Sequence, residues 1–283
     1  MKNASTIDVA PPQKRTFAKK KIDYRSLLQN MLPILLFFIA WEIFGRLNLD
    51  FNWINPLFFP PPTLIVMDGL ALAQTGMITS SIISSTFRIL AGFGLGCVTA
   101  VLMGVIMSRY RFVENWISPI INLVGPIPAL ALLPLFIIWF GIGEFPKILL
   151  IAWSTFIPVL VYTLDGLKSV NSTLIRSALS LGANQRQIFT RVILPSAIPN
   201  ILVGIEVSLG LSFSALVVSE MMGAENGLGY IIVDARNYFK ISNMFVAIIL
   251  IGLEYSLFAY LLKKMKNRIL FWRKGGTHAA IEK

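Results

Sequence analysis

Apolar residues fall into six long blocks, at about 27–47, 80–108, 116–140, 147–164, 198–222 and 244–262. Each reaches the roughly 18 residues that a helix needs to cross a bilayer. Polar residues separate the blocks and fill both ends of the chain. The pattern predicts an all-α membrane protein of about six transmembrane helices: a transmembrane domain over 27–265, flanked by disordered basic cytoplasmic tails at 1–26 and 266–283. No cleavage site follows the first block, so it reads as a retained span and not as a signal peptide.

The spans are not uniform. In the second, Gly92, Gly96, Ala100 and Gly104 recur every fourth residue and so return to nearly one face, where a neighbouring helix can approach closely. The third holds Pro119, Pro126, Pro128 and Pro134, and the fourth Pro158. Each interior proline removes a backbone hydrogen bond that lipid cannot replace, so irregular backbone there must face protein or a water-filled path. Pro126, Pro128, Ala129, Leu130 and Pro134 are therefore candidates for a translocation path. The fifth span carries Glu206 and Glu220, which helical spacing brings to within about 40° on one face. Arg88 in the second span needs a partner or water, and an ion pair is the preferred reading over an anion contact. Arg88, Glu206 and Glu220 join the path candidates.

The longest polar interval between spans, 168–200, predicts two short helices around a glycine. Asn171 or Ser172 caps the first, Gly182 ends it in a left-handed conformation, and 184–192 forms the second, with Pro195 stopping it before the next span. Outside, the loop 48–62 has no Lys or Arg and is rich in aromatics and prolines, as at a membrane interface, and Thr63 is expected to cap a short helix through Ala73.

Composition agrees with the span count. The 283 residues are 55% hydrophobic and 14% charged, with mean hydropathy +0.72, too apolar for an ordinary soluble globule. The net charge of +11 is not gathered on a soluble face, which argues against nucleic acid. Of 25 Lys and Arg, only Arg46, Arg88, Lys147, Arg236 and Lys240 fall on the side opposite the tails or in that half of the spans; the other 20 place both termini in the cytoplasm. Cys97 stands alone and His278 lies in a polar tail, so neither a disulfide nor a metal site is expected, and no cluster of His, Cys or carboxylates marks a catalytic site. The chain has no G-x4-G-K-[ST] loop to cradle ATP phosphates.

The interval Arg176-Ser177-Ala178, Gly182, Val192, Leu194, Pro195 resembles the cytoplasmic loop Glu-Ala-Ala-x3-Gly-x9-Ile-x-Leu-Pro of bacterial ABC importer permeases, with Arg176 and Ser177 departing from it. Residues 125–144, Ser85 to Arg88, Val218 to Met221 and Gly227 to Tyr230 also resemble the taurine, alkanesulfonate, nitrate and bicarbonate group of that binding-protein-dependent transport family. The resemblance implies the type I importer permease fold and a homodimer in the inner membrane. It implies as partners two ATPase subunits, which bind ATP and Mg, and a periplasmic or lipid-anchored solute-binding protein. It also implies an ATPase-coupling role for Arg176, Ser177, Ala178, Gly182, Ala183, Leu194 and Pro195. The solute expected is a small anion such as a sulfonate, nitrate or bicarbonate, moved by alternating access. The rival reading is a gradient-driven secondary transporter using Glu206, Glu220 and Glu254; a membrane enzyme ranks below both.

Reporter fusions test the topology: those at Pro60 and Ala235 are expected to report outside, and those at Tyr110, Asn184 and Gly275 inside. An external signal at Asn184 contradicts the assignment of the polar interval to the cytoplasm.

Overall fold

The computed structural model describes residues 24–271 and is helical throughout, with no strand among them. Of the tails expected at 1–26 and 266–283, residues 1–23 and 272–283 lie outside the described residues, and 24–26 already belong to the first helix. The elements are α1 (Tyr24–Phe51), α2 (Pro62–Gln74), α3 (Met77–Arg109), α4 (Arg111–Val124), α5 (Ala129–Phe140), α6 (Glu144–Lys168), α7 (Ser172–Ser180), α8 (Gln185–Ile188), α9 (Leu194–Met221), α10 (Leu228–Asn237) and α11 (Ile241–Ile269). Five helices are long and apolar enough to span a membrane, and the bent pair α4–α5 makes the sixth. The last span extends past residue 265, so Lys266 and Arg268 belong to α11 and not to a tail.

Helix α6 is the centre of the bundle, packed along α3 on one side and α9 on the other. The small-residue stripe of α3 makes the first contact possible. A β-carbon on Gly92 would lie 2.6 Å from that of Ile151, one on Gly96 2.5 Å from the carbonyl oxygen of Ala152, and one on Gly104 2.6 Å from Thr163 Cγ2. Such proximity is what dispersion attraction between membrane helices requires, since lipid offers no hydrophobic driving force for their association. Ile89, Leu150, Ile151, Leu209 and Leu216 fill one end of the seam, and Met107, Val159 and Leu160 the other.

Three local expectations change. The third span is two helices meeting at 104°, because Gly125 to Pro128 breaks the ladder between them. Thr63 does not cap α2: its N–H and hydroxyl both donate to Glu42 of α1, at 3.0 and 2.8 Å, and Pro61 occupies the cap position. Pro195 does not stop a helix. The chain runs as one helix from Gln185 to Met221, through a π turn at Phe189–Ile193 in which the Leu194 N–H donates to the carbonyl of Phe189. The widened turn gives the proline ring room where an α-helical carbonyl would clash, so Pro195 sits in the first turn of α9.

The stripe yields a paired test. Gly96→Leu is expected to cost on the order of 1–3 kcal/mol or to prevent folding. Gly94→Leu, where a β-carbon meets nothing within 4 Å, should be near neutral. Denaturant titration of both purified variants separates the two outcomes.

Candidate functional site

Between the α6 and α9 spans, α7 and α8 form a knob whose geometry is fixed by caps. The Asn171 side chain accepts from the Thr173 N–H at the start of α7. At its end, Gly182 takes φ +79°, the Ala183 N–H donates to the carbonyl of Ala178 and the Gly182 N–H to that of Leu179, a Schellman closure. Asn184 then opens α8 in a capping box with Gln187, each side chain bonding the other's backbone at 2.9 Å. Ile188 is buried, and Phe189, Ile193 and Leu194 pack on Leu167, Ala197 and Ile201 at the base of the spans. The rest faces outward: Leu174, Leu179 and Leu181 are exposed, Leu181 at 88%. Arg176 and Ser177 are exposed, and Arg176 makes no side-chain bond among the described residues.

At the other end of the bundle, Arg88 is 1% exposed and all five of its N–H groups are used. Nε donates to Glu144 Oε2 at 2.6 Å and Nη2 to Glu144 Oε1 at 2.7 Å. Nη2 also reaches the Asn226 side-chain oxygen at 2.7 Å. Nη1 donates to Glu220 Oε1 at 2.7 Å and to the Asn226 carbonyl at 2.8 Å. Lys147 Nζ joins Glu144 at 3.1 Å, so two cations balance two anions. Glu220 also accepts from the Ser85 hydroxyl at 2.7 Å and from the Gly229 N–H at 2.9 Å, capping the N-terminus of α10 from a different helix. Gly227 has φ +127°, and a β-carbon there would lie 2.5 Å from the Glu220 carboxyl carbon. Only glycine lets the loop lie directly on the ions.

Where α4 meets α5, the break opens a cleft of about 470 Å³ between α6 and α9. Its walls include Pro126, Pro128, Ala129, Leu130, Ser154, Pro158 and Ser214, and no charged side chain is among the lining residues. Pro158 has no N–H, which takes from the Ser154 carbonyl its helical donor at the cleft wall.

Residues 92–268 match the family described as "Binding-protein-dependent transport system inner membrane component". The chain belongs to this family. It is 36% identical to the taurine transport system permease protein TauC of Escherichia coli, over 77% of this chain and 82% of that protein. It is 32% identical to the Bacillus subtilis protein SsuC, named for aliphatic sulfonates transport, over 96% and 94%. The formylaminopyrimidine transport permease protein ThiX of Halalkalibacterium halodurans is also 32% identical, over 87% and 96%. Among solved structures, the MetNI methionine ABC transporter superposes with TM-score 0.58 at 18% identity, over 70% of this chain and 98% of that one. An amino acid ABC transporter crystallised with histidines gives 0.56 at 19%, over 72% and 97%. The fold is that of ABC importer permeases.

In this permease the cleft brings together Pro126, Pro128, Ala129 and Leu130 of the path candidates, and leaves four elsewhere. Pro134 lies inside α5. Arg88 and Glu220 are locked to one another. Glu206 shares a helix with Glu220 yet pairs with Lys266 of α11 at 2.6 Å. Glu254, the third carboxylate of the gradient-driven reading, accepts from Thr86 at 2.8 Å. That reading finds no support among the relatives named above. Sequence reasoning missed Glu144 and Asn226 as partners of Arg88, and Lys147 as the second cation on Glu144. Glu144, the acid nearest a proline-rich span and at the head of the next, was the available signal.

Removing the guanidinium strands two carboxylates, one of them fully buried. Arg88→Met is expected to destabilise by about 3–5 kcal/mol. A double-mutant cycle with Glu220→Gln should recover a coupling of at least about 1 kcal/mol. Additivity in denaturant titrations contradicts the pairing.

Proposed function

We propose that the chain is the pore-forming subunit of an ATP-driven importer, working as a homodimer with two ATPase subunits and an external solute-binding protein, with both termini in the cytoplasm. The observation that carries this is the α7–α8 knob: a capped, outward-facing helix pair, with exposed Leu174, Leu179 and Leu181, whose base is continuous with α9. A rigid, mostly polar projection that also presents three leucines is suited to a groove on a partner. The ATPase, which would bind ATP and Mg, is the partner that a transport chain without its own phosphate-binding loop requires. In this reading Arg176, Ser177, Ala178, Gly182, Ala183, Leu194 and Pro195 act in coupling. Ala178, Gly182 and Ala183 do so as the Schellman closure, Pro195 and Leu194 at the π turn, and Arg176 and Ser177 by direct contact.

Transport proceeds by alternating access, with differential binding of the ATPases to two packings of the dimer shifting the cleft from one side to the other. The cleft contributes small and apolar walls around Pro126, Pro128, Ala129 and Leu130. Arg88 and Glu220 hold the outer end of the spans instead of touching solute. Relatives named for taurine and aliphatic sulfonates support a small sulfonate-like anion as the solute, with selectivity residing in the binding protein. An uncharged wall fits this division, since Glu206 and Glu220, which would repel an anion, are turned to cations elsewhere.

Gly182→Val tests the coupling role. A β-branched residue is strained at φ +79°, so the knob should deform while the spans insert normally. The expected result is loss of the co-purifying ATPase and of transport, with membrane yield unchanged. A variant that retains both removes the argument from the knob.

A further inference from the structure

At the end of the bundle that carries Arg88, a groove of about 630 Å³ runs between the end of α1, α2 and the turn into α11. Its walls carry four leucines, Leu49, Leu57, Leu64 and Leu72, and two opposite charges, Asp68 and Lys240. Neither charge makes a side-chain hydrogen bond or an ion pair among the described residues, with each other or with anything else. This contrasts with Arg88, Glu144, Lys147 and Glu220 nearby, all of which are paired.

We propose that this groove binds one glycerophospholipid with a zwitterionic headgroup of the ethanolamine type. The depth is right. Beside it, Phe51 and Trp53 stack at 5.4 Å, Phe44 and Phe59 meet edge to face at 5.2 Å, and Phe44 lies 6.0 Å from Trp53. Trp53, whose amphipathic ring favours the level of lipid headgroups, is held within this cluster. The charges are complementary in both senses: Asp68 receives the ammonium, Lys240 the phosphate, and the leucines take the upper acyl chains. An anionic lipid would leave Asp68 facing a like charge, and a small soluble zwitterion would leave the leucine walls unused.

The Lys240 side is held in place. Phe239 occupies φ +56°, rare for a bulky residue, and the Lys240 N–H donates to the Ala235 carbonyl at 2.8 Å. This turn ends α10 and sets the lysine against the groove instead of leaving it on a loose loop.

The test uses the full-length protein reconstituted in discs of ethanolamine phospholipid, glycerol phospholipid or their mixture, washed stepwise in detergent, with retained lipid counted by native mass spectrometry. The wild type is expected to keep an ethanolamine phospholipid about tenfold more strongly than Asp68→Asn or Lys240→Gln, as for loss of a charged hydrogen bond. The glycerol lipid should wash out of all three alike. Added ethanolamine phospholipid should also raise the unfolding midpoint of the delipidated wild type, and glycerol phospholipid should not. Equal retention by wild type and variants, equal retention of the anionic lipid, or an unmoved midpoint overturns the proposal. So does a result in which both variants weaken docking of the solute-binding protein while lipid retention stays the same.

Discussion

A guanidinium in the middle of a helical bundle in lipid is tolerated only when each of its five N–H groups finds an oxygen, because hydrocarbon supplies none. That requirement, set by Arg88, arranges one end of this protein. Glu144 comes from the head of α6, Glu220 from the tail of α9 and Asn226 from the loop before α10, so a single side chain ties three spans and the loop leading into α10 together. The helices can converge on it only if their backbones approach closely. The glycine stripe of α3 makes that approach to α6 and continues it for the length of the membrane. Ion network and stripe are thus two expressions of one constraint, electrostatic at the end and steric along the middle.

The consequence is a separation of tasks. Charge is concentrated where helices are joined, and the cleft at the α4–α5 break is left without any. Its polar groups include the hydroxyls of Ser154 and Ser214 and the Ser154 carbonyl, which Pro158 leaves without its helical donor.

Much of this was legible in the sequence, for identifiable reasons. Span positions follow from hydropathy, which the bilayer reads directly. The face of Gly92, Gly96, Ala100 and Gly104 follows from helical spacing, and the left-handed Gly182 from the local chemistry of a helix end. What failed depended on neighbours distant in sequence. Thr63 looked like a cap because Glu42, 21 residues earlier, was not visible as a competing partner. Pro195 looked like a stop because the π turn that accommodates it has no composition of its own. Glu220 was open to reading as a partner of Arg88, but Glu144, 56 residues away, was not, and helical periodicity, which relates residues on one helix, placed Glu206 beside Glu220 without showing that each faces a different neighbour. The knob's fold was readable at Asn171, Gly182 and Asn184, but what it touches was not, since exposed leucines carry no record of a partner's shape.

The π turn has a mechanical meaning. Because the helix does not end at Pro195, 37 residues from Gln185 to Met221 form one continuous rod, about 55 Å long at 1.5 Å per residue. A tilt of about 5° at its Gln185 foot would swing the far tip by roughly 5 Å over that length. That tip carries Glu220, so the bond most sensitive to the angle of the foot is the one that joins α9 to Arg88.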